Sequence, residues 1–239
     1  MKFLIRIFVV TWVLAFGMTE GGAAKTYKIG AFPIPLMVED QDHGVFVELF
    51  KEVARRTGEN FELEVYPTNR TLKLFQDGQL DGFFPGLDLT AGEKSAKSSI
   101  FYRKSDFIFV REGTSFIYAI ARLEGKKVGL TTGYPYSEEL TSHPKITFEY
   151  ADSDVINMSK LSKGRIDAFV VEEKSGLKAL KESGATNIVY NPEKPLSEMR
   201  VFFAFQGNEE GQALADKFSK AIAEMEKDGT FEKIMRKAQ

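Results

Sequence analysis

The sequence predicts an α/β protein built as two similar lobes. Three observations carry that expectation. Strand-type and helix-type patterns alternate along the chain, which is the signature of parallel sheets with helical crossovers. One unit occurs twice, as LFQDGQLDGFFP (74–85) and LSKGRIDAFVVE (161–172), with Asp81 and Asp167 in matching places; two copies make a pair of lobes and not a solenoid. Residues 25–239 are also long enough for two units of about 100 residues each.

The first 24 residues stand apart. Lys2 and Arg6 precede an apolar run at 7–18, and Gly22-Ala23-Ala24 supplies small residues before a cleavage point after Ala24. That order predicts a secretory signal peptide and an exported, periplasmic protein. The run falls short of the roughly 20 residues that span a bilayer. With no cysteine in the sequence, neither a cysteine-borne lipid nor a disulfide is available, and stability rests on the core. Lys2, Arg6 and Glu20 leave with the leader, lowering 32 basic and 34 acidic side chains to 30 and 33. So near-balanced a charge excludes the basic surface that nucleic acid requires.

Along the mature chain, 26–31 alternates as a strand that Pro33 and Pro35 end. Val45, Val47, Leu49, Phe50, Val53 and Ala54 share one helical face, and Gly58 stops that helix. A strand at 61–66 follows, then a helix capped by Thr68 or Asn69 running to Asp77-Gly78, and a short buried strand at 80–84. The chain is polar after Thr90 and returns to a strand at 106–110. The second half repeats the scheme, with strands at 127–130, 146–150 and 166–171, helices opened by Ser137 and spanning 152–163, and a third helix at 172–183. A strand beginning at 187–190, an apolar strand at 201–206 and a helical end broken at Asp228-Gly229 complete it.

Five motifs in order resemble the family 3 extracellular solute-binding proteins, the periplasmic receptors of polar amino-acid uptake. They are Gly44-x-x-x-Glu48-Leu49 with Val53-Ala54-x-x-x-Gly58, then 77–82 (DGQLDG), 123–129 (LEGKKVG), 164–168 (GRIDA) and 227–230 (KDGT). The resemblance implies a bilobal periplasmic-binding-protein type II fold, two mixed sheets with flanking helices joined by two hinge strands near 106–111 and 201–206. It divides the chain into 25–110 (first lobe), 111–200 (second lobe) and 201–239 (return to the first). It also implies a small amino-acid-like or cationic ligand in the cleft, a membrane permease of an ABC transporter as partner, a monomer, and no cofactor.

In that family an arginine soon after a threonine in the third turn grips the ligand carboxylate. Here the segment reads Thr90-Ala91-Gly92-Glu93-Lys94, so the arginine is missing and Lys94 is one substitute. Arg70, at the start of a helix, is the other; its bland alternative is a solvated surface arginine. Asp88 can hold a ligand cation or cap a helix. Glu172 follows a buried strand where relatives carry an aspartate for the ligand's amino group. Thr132 and Tyr134 belong to the turn of the second lobe, where Tyr134 or Tyr136 offers a stacking face. Phe32, Phe84 and Tyr102 are further aromatic candidates that serve equally as core, and Arg103 and Arg200 have no assigned place. The two histidines lie far apart in sequence and no cysteine is present, so a transition-metal site is not expected. No G-x-S-x-G elbow, P-loop or dinucleotide fingerprint appears, and no catalytic residue is expected. The alternatives are a sensing domain and a dehydratase on the same scaffold, with Glu172 or Asp88 as its general acid.

Overall fold

The computed structural model describes residues 25–238, so the expected signal peptide lies outside the described residues. In chain order the elements are β1 (Thr26–Ala31), α1 (Val45–Thr57), β2 (Asn60–Val65), α2 (Thr68–Gln76), β3 (Gly82–Gly86), α3 (Asp88–Ala91), β4 (Ala96–Lys97) and β5 (Tyr102–Arg111). After a 3-10 turn at Ile120–Leu123 come β6 (Lys127–Thr131), α4 (Glu138–Thr141), β7 (Thr147–Ala151), α5 (Asp154–Ser162), β8 (Ala168–Glu172), α6 (Glu173–Ser183) and β9 (Ile188–Val189). The chain ends with β10 (Ser197–Phe205), α7 (Glu209–Asp228) and α8 (Thr230–Met235). Strand order is β2-β1-β3-β10 in the first sheet and β10-β5-β8-β6-β7 in the second, with β4 beside β10 and β9 beside β5.

The duplicated unit has a physical basis. Asp81 accepts the backbone N–H of Lys28 at 2.7 Å while its own N–H bonds the Lys28 carbonyl at 2.8 Å. Asp167 repeats both contacts with Lys127, each at 2.8 Å. Each aspartate therefore clamps the start of its lobe's central strand. Two residues on, a Cβ at Gly30 would lie 2.5 Å from Leu80 and one at Gly129 2.5 Å from Ile166, so both lobes need glycine at the same close approach. Thr71 and Asn157, next to these glycines, donate to the carbonyls of Ala31 and Leu130. Asp81→Ala and Asp167→Ala are each expected to lower stability by about 1 kcal/mol, and to add in the double variant because the sites share no partner; urea denaturation of the three proteins measures this.

Strand alternation distributes the core. In β10, Val201, Phe203 and Phe205 face α1, α7 and α8, whereas Phe202 and Ala204 face the side that holds Phe75, Phe83 and Ala91. In β5, Ile108 and Val110 face the opposite cluster from Phe107 and Phe109. Phe203 and Phe218 centre an aromatic group, 5.0 Å apart and edge to face.

Both β5 and β10 are longer than the sequence predicts. Residues 102–106 of β5 pair antiparallel with 197–201 of β10. Beyond that ribbon, β10 pairs with β3 and β5 pairs with β8. The two strands thus leave one sheet and enter the other side by side, and backbone hydrogen bonds hold this joint.

Candidate functional site

A cavity opens at the carboxyl ends of the parallel strands, where ligands of open α/β sheets bind. The turn after β1 brings Phe32 and Ile34, the start of α2 brings Thr68, and the end of β3 brings Pro85 and Leu87. From the other sheet, the turn after β6 brings Gly133 to Pro135, and the junction of β8 with α6 brings Glu172 and Ser175. Tyr102, Lys104 and Val201, from the joining ribbon, close the back. The wall is mainly apolar, with few polar groups placed on it, as small-molecule sites are.

The turn after β1 is held by the helix that follows. Leu36 and Met37 offer their carbonyls to the N–H groups of Val45 and Phe46 at 3.1 and 2.9 Å, satisfying donors that a helix start leaves free. This approach demands glycine at position 44, where φ is 123° and a Cβ would sit 2.4 Å from the Met37 oxygen.

Glu172 ends β8 and caps α6. One carboxylate oxygen accepts the Ser175 N–H at 3.0 Å and the other accepts the Tyr102 hydroxyl at 3.0 Å. The residue is 9% exposed. Burial, with the adjacent Glu172 charge, pushes the Tyr102 phenol well above its usual range, so it stays a donor. Behind it Lys104 donates to Asp106, which is 1% exposed, and to the Pro135 carbonyl at 3.3 Å. Asp106 also accepts the Ser197 hydroxyl at 3.1 Å.

Tyr134 is anchored from behind by Asp154, which accepts its hydroxyl at 3.2 Å and that of Thr131. Burial pushes the Asp154 carboxyl upward despite these donors and the nearby Lys104 charge. A carboxyl raised on folding binds its proton more tightly in the folded state. Its contribution to stability is therefore present at low pH and is lost as pH rises from about 4 through the raised value. Asp154→Asn should flatten this slope, so wild type loses stability relative to the variant as pH goes from about 4 to 7; paired urea titrations at both pH values test it.

Of the residues selected from sequence, the structure brings Glu172, Tyr134, Phe32 and Tyr102 into one cavity wall and leaves Asp88, Arg70, Lys94, Thr132 and Phe84 outside it, together with Tyr136, Arg103 and Arg200. Phe84 is fully buried and stacks on Phe50 at 5.0 Å, as core. Asp88 opens α3 on the exposed side, bound to Lys97 and Arg200 at 2.8 Å each, and those two cations hold its carboxyl below the usual range. Its neighbour Leu87 takes the cavity position. Arg70 is exposed, with its guanidinium 4.5 Å from the centre of the Tyr66 ring. Lys94 and Thr132 are exposed. Lys104 was not singled out from sequence; its spacing of two from Tyr102 is the signal, legible only once 102–105 is known to be strand.

A profile of the bacterial extracellular solute-binding proteins, family 3, matches residues 29–238. PatH of Vibrio harveyi, whose name assigns it provisionally to the binding proteins of amino-acid ABC transporters, is 26% identical over 243 residues, covering 98% of this chain and 96% of its own. The arginine-binding extracellular protein ArtP of Bacillus subtilis is 27% identical over 222 residues, 90% of this chain and 84% of ArtP. The fold matches that of a histidine kinase sensor domain with similarity to periplasmic binding proteins, at a TM-score of 0.74 and 22% identity over 90% of this chain and 96% of that one. The architecture is the bilobal type II fold expected from the sequence, and the chain belongs to the bacterial extracellular solute-binding proteins, family 3.

Proposed function

We propose that this protein is an exported periplasmic receptor that closes its lobes over a small polar ligand bearing an amino group, and presents the closed form to the permease of an ABC transporter. It works by binding alone, as a monomer. The observation that carries the reading is Glu172, a buried carboxylate on a cavity walled by both sheets. Tyr134 and Phe32 flank the ligand. Closure replaces water in an open cleft with contacts from two sides, so a ligand favours the closed form by its differential affinity for it. The names of PatH and ArtP support an amino-acid-related ligand and the transporter as partner. In this reading the lobes cross at 102–106 and 197–201, so the first boundary drawn from sequence at 110 moves back into β5.

A thermal-shift screen of amino acids, aliphatic and aromatic amines and polyamines on the mature protein is the test. At 100 times its dissociation constant a ligand adds about 2.7 kcal/mol, and at least one compound should raise the melting temperature with that concentration dependence. A panel without a single responder would contradict the receptor reading.

A further inference from the structure

We infer that the ligand is an organic cation with an apolar body and no carboxylate: an amine and not an α-amino acid. This deepens the receptor reading and rests on it. The argument is a charge balance over the cavity wall. Glu172 contributes one negative charge, its oxygens engaged by a hydroxyl and a backbone N–H, and it has no ion-pair partner among the described residues. Each oxygen keeps a further acceptor position. A buried charge without a counter-ion is costly unless one arrives from outside.

A carboxylate would need the reverse, and the wall does not supply it. Lys104 is the one cation on the cavity wall among the described residues, and it is already bound to Asp106. Two of the three Lys104 N–H donors are taken by Asp106 and the Pro135 carbonyl, so a ligand carboxylate could take only the third, from an ammonium whose charge Asp106, 1% exposed, already neutralises. Lys104 and Asp106 are thus neutral as a unit, and the wall as a whole carries the charge of Glu172. Apart from Thr68 and Ser175 the remaining side chains, among them Phe32, Ile34, Met37, Phe46, Leu87 and Val201, are apolar and suit a hydrocarbon or aromatic body. The rings of Tyr102 and Tyr134 add faces on which a cation is stabilised.

The test uses matched pairs that differ by a carboxylate: phenethylamine against phenylalanine, and 3-methylbutylamine against leucine, titrated calorimetrically into the mature protein. The amine of at least one pair should bind ten times or more tighter than its amino acid, and Glu172→Gln should abolish that preference by weakening the amine. An amino acid binding as tightly as its amine, or a tight amine insensitive to Glu172→Gln, overturns the inference. If neither pair binds and a carboxylate-bearing compound from the wider panel does, the inference falls and the receptor reading stands. Silence across pairs and panel removes both.

Discussion

Replacing Glu172 with glutamine is expected to weaken an amine ligand by roughly 3 kcal/mol, or about a hundredfold, the lower end of the cost of breaking a buried charge pair. Glutamine keeps the volume and one acceptor oxygen: that oxygen can cap the Ser175 N–H while the amide NH2 donates to the Tyr102 oxygen, whose hydroxyl hydrogen is free to turn to the cavity. What it loses is charge. The unliganded variant should therefore stay within about 1 kcal/mol of wild type, since one hydrogen bond weakens and none is stranded. Calorimetric titration measures the first quantity and urea denaturation the second. Equal ligand affinity in both proteins would remove Glu172 from the site, whereas equal loss of stability and affinity would mark it as a structural cap.

Removing Asp106 should have the largest effect on stability. Asp106→Ala leaves the Lys104 ammonium, 13% exposed, with the Pro135 carbonyl as its remaining hydrogen-bond acceptor. Breaking a buried pair from one side costs about 3–5 kcal/mol, whereas replacing both partners with apolar residues of similar volume is often close to neutral. The double variant Lys104→Met/Asp106→Leu should accordingly recover much of the loss. The Ser197 hydroxyl contact goes in both proteins, so recovery will be incomplete. Denaturant unfolding of the single and double variants gives the comparison. A double variant no better than Asp106→Ala would show that the aspartate acts through its strand and not through the charge pair.

The sequence made the lobes legible because their strands are apolar on at least one face and their helices carry one-sided patterns. The match of Asp81 with Asp167 was readable for the same reason: each precedes a buried strand, and the clamp they make is local. The joining ribbon was half invisible. Residues 102–105 and 197–200 carry Tyr, Arg, Lys, Ser, Glu and Met with no clean alternation, because backbone pairing and not a buried face holds them. With that half of β5 went Lys104, whose place on the cavity follows from strand phase.

Phase also explains the other differences at the site. Glu172 was identifiable because it follows a buried strand at the position where the resemblance places an acidic residue, and the structure has it end β8 and cap α6. At the equivalent junction of the first lobe the cavity position falls on Leu87, and Asp88 one residue later turns outward to Lys97 and Arg200. Phe83 and Phe84 alternate across β3, so Phe84 joins the α1 side of the core while Phe32, from a turn, reaches the cavity. An error of one residue in a turn exchanges ligand contact for salt bridge, and propensity does not resolve single residues there.

The most direct measurement is a crystal structure of the mature protein with phenethylamine. The account predicts the amine nitrogen between the two sheets, within about 2.7–3.2 Å of a Glu172 oxygen, with the ring against Phe32 and Tyr134. An amine bound away from this cavity, or inside it with the nitrogen turned from Glu172, would contradict it.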